Sequence, residues 1–81
     1  MTKLTWTVRR ALRAAPCSTR RLALQAKVPH STLNAILNDD PAKHRGCTPA
    51  VARSVMRGLR AWALRCQRAA DAIDHSLPKG A

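Results

Sequence analysis

The chain is almost free of aromatic side chains: it has no phenylalanine and no tyrosine, and its two tryptophans are Trp6 and Trp62. Proteins that bind single-stranded nucleic acids usually stack the bases on aromatic side chains, so this scarcity disfavours that class. Acidic side chains are scarce too, with 4 against 15 lysines and arginines and a formal net charge of +11. Such an imbalance repels itself in a compact fold unless a polyanion relieves it. Duplex DNA is therefore the favoured partner.

Long apolar runs are missing as well. No stretch reaches the roughly 18 consecutive apolar residues of a membrane span, and the first residues lack the apolar core of a secretory signal. We therefore expect a cytoplasmic protein without a membrane partner.

Cysteine is too sparse to build a disulfide framework. Cys17, Cys47 and Cys66 form an odd, widely spaced set without a C-x-x-C pair, which fits a reducing compartment. His44 and Cys47 have an H-x-x-C spacing, and a zinc site could be imagined from them together with Cys17 and His30. Zinc modules normally show two closely spaced pairs of ligands, and this chain has one. We predict no metal and no other cofactor.

The pattern of apolar residues and prolines predicts an all-α fold of about four helices. The first is an amphipathic helix of about three turns, which Thr2 or Thr5 caps and Pro16 ends. Its apolar stripe consists of Leu4, Val8, Ala11, Leu12 and Ala15. The arginines of this helix, Arg9 among them, fall largely outside the stripe. We therefore expect them on the surface.

Thr48 and Pro49 mark the start of a long last helix, because a capping hydroxyl is followed by proline at the first turn. The helix is predicted to run to about His75, and its first turns are predicted to close the core. The residues assigned to that role are Val51, Val55, Met56 and Leu59. The resulting division of the chain is a core of residues 1–60, an extension of the C-terminal helix over residues 61–77, and a tail of residues 78–81.

Residues 19–38 contain two short amphipathic helices separated by Lys27, Val28 and Pro29. Ser18 is predicted to cap the first, and Pro29 to occupy the first helical position of the second. The apolar stripes consist of Leu22, Ala23 and Ala26 in the first helix and of Leu33, Ile36 and Leu37 in the second. Since each helix is apolar along one side, the two can close on each other as a helix-turn-helix.

This segment resembles the helix-turn-helix of the phage Cro and repressor family. In that motif a small residue stands at the fifth position, which is Ala23 here. Apolar residues are expected at Leu22, Val28, Leu33 and Ile36, and all match. The family usually has glycine in the turn, where this chain has Lys27; a positive φ there costs a lysine about 1 kcal/mol. The resemblance implies that the second helix is a recognition helix for duplex DNA.

The outer face of that helix carries short side chains, which would let it lie deep in a major groove. The resemblance assigns base contacts to His30, Ser31, Asn34 and Ala35, and the same face adds Asn38. Asn34 ranks highest, because its carboxamide suits bidentate pairing with adenine. Two alternatives stay open: Asn38 also fits a helix C-cap, and His30 also fits a solvated surface residue.

Basic and hydroxyl side chains around the two helices are the predicted phosphate contacts. They are Thr19, Arg20, Lys27, Thr32, Lys43 and Arg45. Arg20 stands in the first turn of its helix, where the helix dipole prefers an anion, so a facing phosphate would relieve a local penalty. Lys43 and Arg45 belong to a basic loop that follows the recognition helix. Lys27 also fits a plain solvated turn residue.

Apolar residues of the last helix recur at alternating spacings of 4 and 3, which is a heptad seam. The predicted dimer interface consists of Leu59, Trp62, Cys66, Ala69 and Ile73. Closed two-fold homodimers are the commonest assembly, and the seam extends beyond what three short helices can bury. The alternative is one long helix folded back on its own domain. Because Cys66 and Ala69 make a weak coiled coil, we expect the dimer to use the flanking domain as well.

Together these features predict a sequence-specific, double-stranded-DNA-binding transcriptional regulator. Its small size resembles regulators of phage or mobile-element operons, so we expect a dimeric repressor or autoregulator that binds a pseudo-palindromic operator. Two other interpretations stay open: a basic helical inhibitor or adaptor that binds another protein, and a non-specific architectural DNA-binding protein. An enzyme is not expected, because the potential catalytic side chains show no recognisable spacing.

Overall fold

The computed structural model describes residues 2–78, and these residues form four α-helices and no strand. The helices are α1 (Lys3–Ala14), α2 (Thr19–Ala26), α3 (His30–Leu37) and α4 (Pro49–Ser76). The prediction of a small all-α domain with a long C-terminal helix is confirmed. The predicted tail of residues 78–81 lies outside the described residues except for Pro78.

Three of the helices begin at a hydroxyl side chain that accepts a hydrogen bond from a backbone N–H of the first turn, as N-capping requires. The capping pairs are Thr2 with Thr5, Ser18 with Arg21, and Thr48 with Val51. Pro49 occupies the first turn of α4 as predicted. These caps explain why the predicted helix starts agree with the structure to within a residue or two.

The start of α3 differs from the prediction by one position. Pro29 has φ −56° and ψ 136°, so its backbone is still extended, and it caps the helix instead of forming its first helical residue. Its carbonyl oxygen accepts the N–H of Thr32 at 3.0 Å. Because no side chain caps this helix, α3 depends on its neighbours for its position.

The turn between α2 and α3 contains Lys27 in the left-handed region, with φ 57° and ψ 41°. The Lys27 N–H donates to the Leu24 carbonyl at 3.3 Å, and the Val28 N–H donates to the Ala23 carbonyl at 3.0 Å. This pair of bonds is the Schellman motif, in which glycine normally occupies the position of Lys27. The positive φ that the motif implied is therefore present, and the lysine side chain is exposed.

Lys27→Gly is expected to raise the free energy of unfolding by about 1 kcal/mol, because glycine adopts this conformation without the clash of a Cβ. The melting temperature, followed by the helical circular dichroism signal, should rise by about 4–8 °C. Lys27→Ala is the matched control, since it removes the charge but keeps the strained Cβ. An equal gain from both variants would contradict the strain argument.

The core lies where α1, α2 and α3 meet the first turns of α4. Its buried side chains are Val8, Leu12, Leu22, Ala23, Leu33, Ile36, Cys47 and Val55. α2 packs against both α3 and α4, while α1 closes the remaining side against α3 and α4. The small α2–α4 separation depends on Gly58, which faces Ala26. This packing uses the predicted stripes of all four helices.

Two residues lie differently from the prediction. The sequence predicts that Met56 covers the core, but this residue is 41 % exposed, because it lies on the wall of an open groove between α1 and α4. Cys47 follows the basic loop of Lys43 and Arg45, where a polar environment would be expected, but it is buried, and its N–H donates to Thr5 Oγ1 at 3.0 Å. Burial raises the pKa of the Cys47 thiol.

The largest difference concerns Arg9, which was expected on the surface but is only 3 % exposed. Its guanidinium Nη1 donates to the Ile36 carbonyl at 3.0 Å and to the Asn38 carbonyl at 3.3 Å. Nη2 donates to the Asp39 carboxylate. These carbonyls end α3, where a helix lacks internal donors and attracts positive charge. We call this set of contacts the Arg9 clamp.

Trp6 covers the outer side of the Arg9 clamp. The Arg9 guanidinium lies 5.6 Å from the centre of the Trp6 ring, within the range of a cation–π interaction. The indole is 51 % exposed, so it shields the clamp at the edge of the core without belonging to the core.

α4 continues well past the core. Side chains of residues 63–78 are all exposed, and the described chain extends over 57 × 20 × 19 Å. We call residues 63–77 the α4 extension. Within residues 2–78, none of the helices has the length and apolarity needed to cross a lipid bilayer.

Candidate nucleic-acid interface

The outer face of α3 gathers the predicted base-contacting residues. At 3.6 residues per turn, these positions fall within an arc of about 140°, opposite Leu33 and Ile36. They are His30, Ser31, Asn34, Ala35 and Asn38. Ser31 and Asn34 are exposed, and the other three are half-buried. The structure therefore brings all five to one side of one helix, with the Ser31 hydroxyl and the Asn34 carboxamide the most accessible.

Contacts at both ends hold α3 in place. At its start, the Schellman turn around Lys27 sets its angle to α2. At its end, the Arg9 clamp joins it to α1. The loop that follows adds a third contact, because the Arg45 N–H donates to the Ala35 carbonyl at 3.0 Å. A helix of eight residues is marginal alone, so these contacts give its outer face a defined orientation.

Asn38 is the predicted base-contacting residue whose side chain already makes a hydrogen bond within the protein. It ends α3 with φ −70° and ψ 129°, and its side-chain Oδ1 accepts the Asp40 N–H at 2.9 Å. This local bond organises the loop, as asparagine often does after a helix. The side-chain NH₂ of Asn38 is the part that stays available for a base edge.

The predicted phosphate-contacting residues lie on α3, where Thr32 is, and on the segments that precede and follow it in the chain. Thr19 and Arg20 begin α2, Lys27 lies in the turn, and Lys43 and Arg45 lie in the loop after α3. Arg20, Lys27, Lys43 and Arg45 are exposed, while Thr19 and Thr32 are half-buried. Charged ends that reach solvent on both sides of a helix suit a ligand with negative charge along two edges.

Two aspartates lie beside this basic surface, directly after α3. The Arg9 guanidinium, through its hydrogen bond and its charge, lowers the pKa of Asp39, and Arg13 adds to this at 3.4 Å. Asp39 is therefore ionised at neutral pH and paired with two arginines. Its negative charge is compensated next to the predicted interface.

Beside α2 lies a basic depression that the sequence did not reveal. Arg21, Lys27 and Arg65 surround a hollow of about 460 Å³, with Trp62 on its wall. Arg65 Nη1 donates to Gln25 Oε1 at 3.2 Å, so the last helix adds a positive charge beside α2. The periodicity of α4 predicts that Trp62 belongs to a dimer interface. In the structure its half-buried indole also lies beside α2. No sequence signal links positions 25 and 65.

Among residues 2–78, no three histidine, cysteine or acidic side chains lie close enough together to hold a metal ion. The free thiols differ in environment, since Cys47 is buried, Cys17 is half-buried and Cys66 is exposed on the α4 extension.

Comparison of the chain with protein-family models, with curated proteins and with solved structures finds no match.

Proposed function

We propose that the chain is a sequence-specific, double-stranded-DNA-binding transcriptional regulator. It acts in the cytoplasm as a homodimeric repressor or autoregulator of a phage or mobile-element operon, and it binds rather than catalyses. α3 enters the major groove of each half-site of a pseudo-palindromic operator, with half-sites about 34 Å apart.

The observation that carries the proposal is the outer face of α3. Short side chains, most of them polar, cover it, α3 is held by the Lys27 turn and the Arg9 clamp, and exposed basic residues precede and follow it in the chain. A rigid helix with small outward residues approaches base edges closely, and flanking lysines and arginines neutralise phosphates. The formal net charge of +11 supports strong, salt-sensitive attraction to a duplex.

Selection of bound duplexes from a random pool tests this function directly. We expect one recovered motif with two-fold symmetry, because a symmetric dimer reads each half-site in the same way. A pool without any motif would leave a non-specific architectural protein, whose affinity comes from charge alone. Absence of duplex binding at low salt would leave the protein-binding adaptor.

Asn34→Ala is expected to reduce discrimination between the selected duplex and a duplex with the contacted base pair changed. A bidentate contact to a base provides about 1–3 kcal/mol of discrimination, so the ratio of the two dissociation constants should fall by about tenfold to a hundredfold. Gel shifts at fixed salt measure both constants.

Arg20→Ala is the matched control for that experiment. Loss of one phosphate contact weakens binding to all duplexes to the same extent and lowers the salt dependence by about one unit of slope. If Asn34→Ala changed affinity uniformly, as expected of Arg20→Ala, then Asn34 would not contact a base.

A further inference from the structure

An apolar groove of about 500 Å³ runs between α1 and α4. The groove is lined by Leu4, Val8, Ala11, Ala52, Met56 and Leu59, with Arg53 and Arg60 at its rim. Apart from Thr7 and these two arginines, the residues that line the groove are apolar. In a chain with so many charged side chains, the groove indicates a surface that a partner covers.

The elongated shape of the chain also indicates a surface that a partner covers. The radius of gyration is 16.0 Å, whereas a compact chain of this length has about 12 Å. The accessible surface is 6169 Å², which exceeds by about 1,300 Å² the area expected for a compact monomer of this mass. A stable protein–protein interface buries about 800 Å² on each partner. The excess is therefore sufficient for one such interface.

The groove and the α4 extension share one face of α4. Successive residues of a helix are about 100° apart, so the groove positions Ala52, Met56 and Leu59 and the apolar positions of the extension fall within an arc of about 100°. Those extension positions are Ala63, Cys66, Ala70, Ile73 and Leu77. All five are exposed. One apolar stripe therefore begins in the groove and ends on a helix that nothing covers.

We propose that the α4 extension of one copy lies antiparallel in the groove of a second copy, and that the second copy reciprocates. The α4 part of the groove and the extension are nearly equal in length, which places the two-fold axis at Ala63. This register sets Met56 against Ala70 of the second copy and Ala52 beside its Ile73. Large and small side chains face each other in both directions, since Ala70 of the extension faces Met56 of the groove and Ile73 of the extension lies beside Ala52 of the groove.

Charge selects this arrangement. Arg53, at the rim of the groove, shares one flank of α4 with Asp71 and Asp74, as their spacing on the helix shows. An antiparallel two-fold sets that flank against itself, so Arg53 meets both aspartates of the second copy. A parallel pairing would set the aspartates against the opposite flank, where the nearest residues are Ala69, Ala72 and Ser76, and the arginine of that flank, Arg65, is six positions before Asp71. Half of the acidic residues of the chain therefore face a basic rim.

This arrangement supplies the contact surface of the homodimer in the proposed function. It rests on the proposed function only for the expectation that the protein is a homodimer. It does not depend on DNA. α3 packs on α1 and α2, while the groove lies between α1 and α4. The groove and the outer face of α3 therefore have no residue in common.

Disulfide trapping tests the register in the full chain without DNA. The background carries Cys17→Ser and Cys66→Ala, so buried Cys47 is the remaining natural thiol. Met56→Cys and Ala70→Cys are prepared as separate proteins, mixed and mildly oxidised. We expect a linked species at twice 8.9 kDa from the mixture and none from either protein alone. Ala63→Cys, at the axis, should link to itself.

Three results would overturn the inference. Self-linking of Met56→Cys, or of the natural Cys66, would require another register. A folded monomer in sedimentation at micromolar concentration would remove the second copy as the occupant. Binding of such a monomer to phosphatidylglycerol vesicles would assign the groove to a lipid surface. A monomer that still selected one duplex motif would end this inference alone, whereas a trapped dimer without a motif would end only the proposed DNA recognition.

Discussion

Gly58→Val is expected to push α4 away from α2 and to lower the free energy of unfolding by about 3 kcal/mol. A Cβ at position 58 would lie 2.9 Å from the Ala26 Cβ and 3.1 Å from the Ala26 Cα. The second of these atoms is backbone, so it moves only if α2 moves. Valine adds two methyl groups beyond that Cβ. A domain of this size has about 4–12 kcal/mol in total, so a large share of its stability is lost.

Thermal melting followed by circular dichroism measures the effect, and a fall of about 12–24 °C is expected. Gly46→Ala is the matched control, because its Cβ would meet only the Thr5 Oγ1 at 3.7 Å, an ordinary contact. Gly58→Ala sharpens the test. Alanine improves the helix propensity of α4 by about 1 kcal/mol, so a stabilised Gly58→Ala protein would contradict the close approach of the two helices.

Arg9→Met is the second substitution expected to have a large effect, again about 3 kcal/mol of lost stability. Methionine keeps the long apolar stem but removes the donors of the Arg9 clamp. The carbonyls of Ile36 and Asn38 then lose a charged hydrogen-bond partner at a helix end, where such partners are valuable. Chemical denaturation measures the change in free energy, and the midpoint should fall without a change in slope.

Asp39→Asn is the control for Arg9→Met. The Asp39 side chain is 81 % exposed, so its pairing with Arg9 is screened by water and its loss should shift the midpoint only slightly. If Asp39→Asn lowered the stability as much as Arg9→Met, then the stabilising effect of Arg9 would come mainly from its ion pair with Asp39. The hydrogen bonds of Arg9 to the carbonyls at the end of α3 would then contribute little. Arg9→Lys distinguishes charge from geometry, because a lysine cannot serve several acceptors with a planar fork.

Much of the fold could be predicted from local signals. Ser18 and Thr48 mark helix starts because a capping hydroxyl acts on its own first turn, and Pro16 ends α1 for an equally local reason. The positive φ at Lys27 agrees with the resemblance to a motif that usually has glycine at this turn position. Each of these features depends on residues within about four positions of one another, which a sequence displays directly.

The features that could not be predicted depend on distant parts of the chain. Arg9 is buried because the end of α3, 27 positions later, offers it acceptors. Its place in the sequence pattern resembles that of any surface arginine. Met56 fits a core stripe, yet it lies on the wall of the open groove between α1 and α4. Periodicity tells which side of a helix is apolar, but not what lies opposite.

For the candidate site, the sequence predicted which face of α3 is polar, because that face lies opposite the apolar stripe of the helix. It did not reveal how α3 is held. The contacts of Arg9 and Arg45 with α3 carbonyls involve backbone atoms, which leave no trace in residue identity. The roles of Asn34 and its neighbours at a base edge stay predictions, and the pool selection addresses them.

The two tryptophans lie in different parts of the molecule, Trp6 on α1 and Trp62 on α4. Trp6 stacks on the guanidinium that holds α3, while Trp62 lies one residue from the proposed axis between copies. With no tyrosine present, the intrinsic fluorescence of the protein comes from these two indoles alone. A variant that keeps only Trp6 reports the packing of α1 against the end of α3, and one that keeps only Trp62 reports the proposed association of two copies. Folding and pairing can therefore be followed as separate optical signals without an attached dye.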